Sequence, residues 1–214
     1  WDPTCIPQGT PLRLDLWFVL VLLAYARGLR HWSVGVAAGL LVMLHRAFGL
    51  IYTAAYFQLI LLLFAIDLFS VPVSDKACVS PAGKAKEHWL ANLPNIAIIA
   101  VCFFINLLLL GPDSKWSVVT FQQLGIAFLK ISRQSFYWYV PVLLGTVFTL
   151  LISRKKLLPE RYFTTGLFLV LLAIGNSLYF FGRSHENNIL NISASLVLAF
   201  FLLLDLAFSP ASGQ

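Results

Sequence analysis

In this chain of 214 residues, apolar residues make up 59% and charged residues only 11%. Soluble domains carry about 25% charged residues, so the composition excludes an ordinary water-soluble domain. The net charge of +6 then reads as membrane orientation and contact with anionic membrane lipids. No basic stripe with nucleic-acid spacing appears, and no nucleic-acid partner is expected.

Several apolar runs approach or exceed the roughly 18 residues that cross a bilayer. The fold class read from them is all-α: a polytopic helical membrane protein with about seven transmembrane helices and one interfacial helix. Residues 1–214 form a single transmembrane helical domain. The chain begins at Trp1, and the expectation is a C-terminal fragment of a longer protein whose first apolar run is a span and not a signal peptide. Cys5, Cys78 and Cys102 show no CxxC and no zinc spacing. No disulfide framework and no structural metal are expected.

Residues 1–11 are rich in proline and glycine and read as a loop. Span one runs from about Leu12 to Ala26, followed by the basic turn Arg27 to Trp32. Span two, about Ser33 to Leu44, is short for a crossing. It carries Gly35-Val36-Ala37-Ala38-Gly39, a spacing that lets helices approach closely, although coincidence in a Gly/Ala-rich span is the simpler reading. His45-Arg46-Ala47-Phe48-Gly49 interrupts the apolar pattern. Span three runs from about Leu50 to Phe69, with Asp67 near its end. Residues 70–89 read as a loop, and span four covers about Leu90 to Leu110, with Pro94 near its start.

Residues 112–135 are weakly amphipathic and read as a helix lying in the interface. Phe136-Tyr137-Trp138-Tyr139 forms an aromatic belt that opens span five, which ends near Ile152. The turn from Arg154 to Arg161 is strongly basic. Span six covers 163–182 and span seven begins at 191 and runs through Asp205. Asp67 and Asp205 read as structural carboxylates, solvated or paired with basic turn residues. Asn106 and Asn176 read as interhelical hydrogen-bonding groups.

Lysine and arginine counts set the orientation. Placing 154–161 in the cytoplasm puts 27–32 and 70–89 there as well. His45-Arg46, the interfacial segment and residues 183–190 then share the other face. The cations on that face oppose the orientation rule, and binding anions is one reason to keep them.

The densest polar stretch is Gly182-Arg183-Ser184-His185-Glu186-Asn187-Asn188, between spans six and seven. A tight turn needs only a glycine and a few polar residues. This knot adds a permanent cation, an imidazole, a carboxylate and two amides. That set can hold an anionic headgroup and sugar hydroxyls at a membrane surface, and it also suits a solvated turn with an interfacial arginine.

The run Gly175-Asn176-Ser177-Leu178-Tyr179-Phe180-Phe181 through Asn188 resembles the late extracytoplasmic loop of bacterial integral-membrane glycosyltransferases of the GT-C class. The break Leu44-His45-Arg46-Ala47-Phe48-Gly49-Leu50 resembles the interruption between spans in that class. Phe121-Gln122-Gln123-Leu124-Gly125 through Ser135-Phe136-Tyr137-Trp138 is similar to its juxtamembrane helix and the aromatic start of the next span. The likeness covers most of the chain in architecture and is sharpest at 183–188.

The resemblance implies a multi-pass protein of the bacterial inner membrane with residues 183–190 outside the cell. It implies transfer of a sugar from a polyprenyl-phosphate donor to a lipid, glycan or protein acceptor. Such enzymes carry an acidic base or metal ligand in their first outer loop. Asp2 lacks that context, so the base is expected upstream of this chain, with Asp113 as a substitute candidate. No cofactor is firmly implied beyond a divalent cation that the class admits. In this reading Arg183 holds the donor phosphate, since guanidinium pairs bidentately with phosphate oxygens. His185 donates to phosphate or sugar, Asn187 and Asn188 bind sugar hydroxyls, and Glu186 orients Arg183 or binds sugar. His45 and Arg46 are further substrate-binding candidates, each with an interfacial or snorkelling alternative. An O-antigen-type polysaccharide polymerase or ligase, a multi-span transporter and a structural membrane subunit are the competing functional classes.

Overall fold

The computed structural model describes residues 17–44, 46–69, 81–110, 131, 133–181 and 187–208, with backbone alone at 46–47, 81–82, 84–86, 88, 110, 178–181 and 187–191. Among these residues the chain forms α1 (Trp17–Arg27), α2 (Trp32–Leu44), α3 (Arg46–Phe69), α4 (Pro81–Leu110), a 3-10 turn (Phe136–Trp138) leading into α5 (Tyr139–Ser153), α6 (Glu160–Phe181) and α7 (Asn187–Phe208). No strand occurs among the described residues. The all-α expectation is met.

Three segments are long and apolar enough to cross a membrane: Phe48–Phe69, Trp89–Leu109 and Phe136–Ser153. Their outward faces are apolar as well. Phe69, Phe104, Leu108 and Val142 are all exposed, where a bundle in water would present polar residues. The exposed threonines of α5 satisfy themselves: Thr146 donates to the Val142 carbonyl and Thr149 to the Gly145 carbonyl, both at 2.8 Å. A hydroxyl bonded to its own helix can face hydrocarbon without an unpaired polar group.

α6 is the central helix. It packs on α1, α3, α5 and α7 and buries Phe163, Leu167, Phe168, Leu172 and Ala173. α2 lies between α3 and α4. The α2–α4 contact is close because α2 presents glycines to it. A Cβ built on Gly35 would stand 2.7 Å from the Asn95 Cα, and one on Gly39 would stand 2.6 Å from the Cys102 sulfur. The Gly35/Gly39 spacing is therefore a helix-packing surface and not a coincidence of composition. Asn106 of α4 donates to the Val42 and Met43 carbonyls of α2, each at 3.4 Å. Those carbonyls belong to the last turn of α2 and have no partner within it, so the expected interhelical role of Asn106 is met.

α3 and α6 run antiparallel. A Cβ on Gly175 would stand 2.5 Å from Ile51, the Tyr56 and Phe168 rings lie 6.2 Å apart, and Ile60 and Leu63 line one cavity with Phe163 and Thr164. The bundle thus has two ends. One gathers the close of α2, the start of α3, the start of α5 and the close of α6. The other gathers the α1–α2 turn, the close of α3 and the α5–α6 turn. α6, with 22 residues, separates them by roughly 33 Å at 1.5 Å per residue.

Several expectations are corrected. The break at 44–50 is narrower than the sequence suggests: α3 begins at Arg46, so Ala47, Phe48 and Gly49 are helical. Phe48 and Gly49 are buried, which explains why a glycine there packs instead of turning. Residues 81–89 belong to α4 and not to a loop, and Pro81 sits at the first helical position, where its missing N–H costs nothing. Pro94 consequently lies well inside α4, and the Leu90 carbonyl loses its helical partner there. Asp67 pairs with Lys155 of the basic turn at 3.2 Å, as the paired reading requires. Asp205 accepts a hydrogen bond from the Tyr162 hydroxyl.

Candidate functional site

The end of the bundle at which α6 closes is built by several helix termini. Ser135 opens it: its hydroxyl accepts the Tyr137 backbone N–H at 3.1 Å and caps the 3-10 turn. The turn splits the aromatic belt. Phe136, Trp138 and Tyr139 point outward, while Tyr137 is buried. Outward aromatics at a span start serve as interfacial anchors. Tyr137 turns inward, and its hydroxyl lies 3.5 Å from Ser177 Oγ on α6. Ser177 Oγ itself donates to the Ile174 carbonyl at 2.7 Å. Beside it, Asn176 is buried, and among the described residues its Oδ1 accepts no hydrogen bond.

A groove of about 450 Å³ runs down from this polar corner between α5 and α6. Val140, Leu144, Phe148, Val170 and Ile174 line its length, with Tyr137 and Ser177 at the top. From residue 137 to 148 the floor extends roughly 16 Å along the helix. Gly145 forms part of the wall, and a Cβ there would meet nothing within 4 Å. The groove is apolar below and carries hydroxyls at one end, which suits an amphiphile with a long apolar tail.

Of the residues selected from sequence, Arg46 is the first residue of α3 and Asn187 and Asn188 are the first two of α7. The antiparallel packing of α3 on α6 brings the backbone of Arg46 to the end where α6 leaves for the knot. The side chains of these three residues lie outside the described residues, as do His45, Asp113, Arg183, His185 and Glu186 and the interfacial segment up to residue 130. The groove was not found from sequence, because Val140, Leu144 and Ile174 read there as ordinary span residues. Its one signal was the pair Tyr137 and Ser177, two hydroxyls at the facing ends of consecutive spans. Among the described residues no group of three His, Cys, Asp or Glu side chains is placed to hold a metal.

Among the described residues, fold and surface together define an all-helical protein with three helices suited to crossing a membrane. Comparison with protein families, curated proteins and solved structures finds no match to this chain.

Proposed function

We propose that this chain is a multi-pass membrane domain with about seven crossings that transfers a sugar from a polyprenyl-phosphate donor to a lipid, glycan or protein acceptor at the extracytoplasmic face of a bacterial inner membrane. The observation that supports this most is the groove between α5 and α6. Its apolar length suits a prenyl tail, and its hydroxyl-bearing top lies toward the close of α6, after which the sequence continues into Arg183–Asn188. In this reading Arg183 receives the phosphate of a tail seated there.

In this reading the acceptor hydroxyl attacks the anomeric carbon, and the bond from that carbon to the phosphate oxygen breaks. The hydroxyl proton passes to a carboxylate, for which Asp113 is the candidate within this chain. The leaving polyprenyl phosphate takes the electron pair, and Arg183 and His185 stabilise the charge it gains. Glu186, Asn187, Asn188, His45 and Arg46 complete the sugar and phosphate contacts.

The test uses the protein in membranes with labelled polyprenyl-phosphate sugars of long and short prenyl length. Wild type, Arg183→Ala and Gly145→Leu are compared at matched expression. A Cβ at position 145 meets nothing within 4 Å and a leucine there takes up groove space, so Gly145→Leu should raise KM for the long donor by about tenfold, corresponding to about 1.4 kcal/mol, and leave the short donor nearly unchanged. Arg183→Ala should abolish transfer with both donors. Equal activity of all three proteins on both donors, or no transfer by wild type with any donor, would refute the reading.

A further inference from the structure

The opposite end of the bundle holds a second cavity that the proposed transfer reaction does not use. It has a volume of about 370 Å³, within the usual ligand-pocket range of about 300–1,000 Å³. The α1–α2 turn, the close of α3, Asn92 of α4, the α5–α6 turn and the start of α6 build it. Its lining includes Arg27, Arg30, Lys155 and Arg161 as cations and Asp67 and Glu160 as carboxylates. Lys155 is engaged with Asp67 at 3.2 Å, and it also stands over the Phe163 ring. One Arg161 nitrogen donates to the Ala26 carbonyl at 3.4 Å. Among the described residues, neither Arg27 nor Arg30 lies within salt-bridge distance of a carboxylate. Among the described residues, the lining therefore carries more positive than negative charge.

The walls are held in shape by buried polar contacts. Tyr56 donates to Asn92 Oδ1 at 2.8 Å and accepts from Asn95 Nδ2 at 2.9 Å. Asn95 Nδ2 also donates to the Leu29 carbonyl at 3.1 Å. This chain ties the α1–α2 turn to α3 and α4 directly behind Arg30, and Asn92 lines the cavity itself. Gly28 adopts φ of 91°, a conformation open to glycine, and donates to the Ala24 carbonyl at 3.0 Å. That reversal sets Arg27 and Arg30 on either side of one tight turn. His31 caps α2: its Nδ1 accepts the Ser33 backbone N–H at 3.3 Å and lies 2.8 Å from Ser33 Oγ. An accepting Nδ1 leaves Nε2 as the donor of the neutral ring, and His31 also lines the cavity.

We propose that this cavity binds a terminal phosphate, with the Arg27 and Arg30 guanidiniums as its principal ligands and the His31 ring as a further donor. Guanidinium forks match phosphate oxygens in pairs. Glu160 is the carboxylate such a ligand must avoid, while Asp67 is already neutralised by Lys155. The cavity lies at the end of a bundle with an apolar exterior, so the phosphate can belong to an anionic lipid headgroup in the adjoining leaflet or to a soluble phosphate. The site stands independently of the glycosyl-transfer reading, since it is at the other end of α6.

The full chain is purified into nanodiscs and tested in two arms. In one, native mass spectrometry measures retention of phosphatidic acid against phosphatidylcholine from mixed-lipid discs. In the other, ³¹P NMR line broadening measures binding of inorganic phosphate in discs of phosphatidylcholine alone. Wild type is compared with Arg27→Gln, Arg30→Gln and their double variant, and with Lys156→Gln, an exposed cation of the α5–α6 turn that does not line the cavity. The expected result is a preference for the phosphate-bearing probe that falls about tenfold or more in the arginine variants and survives in Lys156→Gln. Loss confined to the lipid arm assigns a headgroup, and loss in the inorganic arm assigns a soluble phosphate. Both side chains are exposed, so the single variants carry the test if the double variant does not fold. Absence of both probes from wild type, or equal loss in Lys156→Gln, overturns the proposal.

Discussion

Replacing Gly35 by alanine should destabilise the protein, while the same change at Gly145 should stabilise it. Both glycines lie in helix interiors, where alanine is favoured by about 1 kcal/mol. At Gly145 a new Cβ meets nothing within 4 Å, so that gain is kept. At Gly35 the new Cβ would stand 2.7 Å from the Asn95 Cα. Carbon atoms pack best at about 3.5–4.0 Å, so α2 and α4 must separate by roughly an ångström. The contact is with backbone and cannot be relieved by a rotamer change. Separation also draws the Asn95 amide from the Leu29 carbonyl and from Tyr56, which it now reaches at 3.1 and 2.9 Å. Overpacking of this kind costs about 1–3 kcal/mol, and the propensity gain offsets only part of it. The assay is thermal unfolding in one detergent, read by tryptophan fluorescence, with Gly35→Ala, Gly39→Ala and Gly145→Ala side by side. A stability gain at Gly35 equal to that at Gly145 would show that the two helices are not in close contact.

Two further outcomes are expected. Asn106→Leu leaves the Val42 and Met43 carbonyls without their donor and should lower stability by about 1 kcal/mol, measured by the same unfolding assay; no change would remove that bond from the packing of α2 on α4. Tyr162 lies just before span six, and its hydroxyl is held above its ordinary pKa of 10.0 by burial first and then by the hydrogen bond and charge of Asp205. The fold favours the protonated phenol, so its contribution is present below about pH 10 and is lost as pH rises through the elevated value. Wild type should therefore lose stability above about pH 10 more steeply than Tyr162→Phe, and parallel curves would refute the assignment.

Helix identity and approximate position were legible in the sequence because continuous apolar runs leave the backbone no alternative in lipid. The ends were less legible. Pro81 and the lysines after it read as loop, yet a proline in the first helical turn and charges beyond the hydrocarbon are both compatible with helix. Arg46 to Gly49 read as a break because one histidine and one arginine interrupt the apolar pattern. Burial of Phe48 and Gly49 against neighbouring helices decided otherwise. Charge alone left Asp67 either solvated or paired with the basic turn, and the structure selects the pair; the Tyr162–Asp205 contact had no such signal, since a tyrosine carries no charge to flag it. The knot at 183–188 was found entirely from its residue types.

Composition and periodicity alone determined that the chain is helical, that its exterior is apolar and that its polar residues gather in a few short stretches. Local chemistry suffices for those conclusions, because a peptide group without water must bond within its own helix. Only the tertiary structure decided which stretches meet. It took packing of α3 against α6 to bring Arg46 to the knot end, and the glycine face of α2 to draw α4 close. It took the hydrogen bonds from Asn95 to fasten the α1–α2 turn beside the α5–α6 turn. Contacts between residues as far apart in sequence as Leu29 and Asn95 depend on shape complementarity between helices, and no window along the chain contains both surfaces.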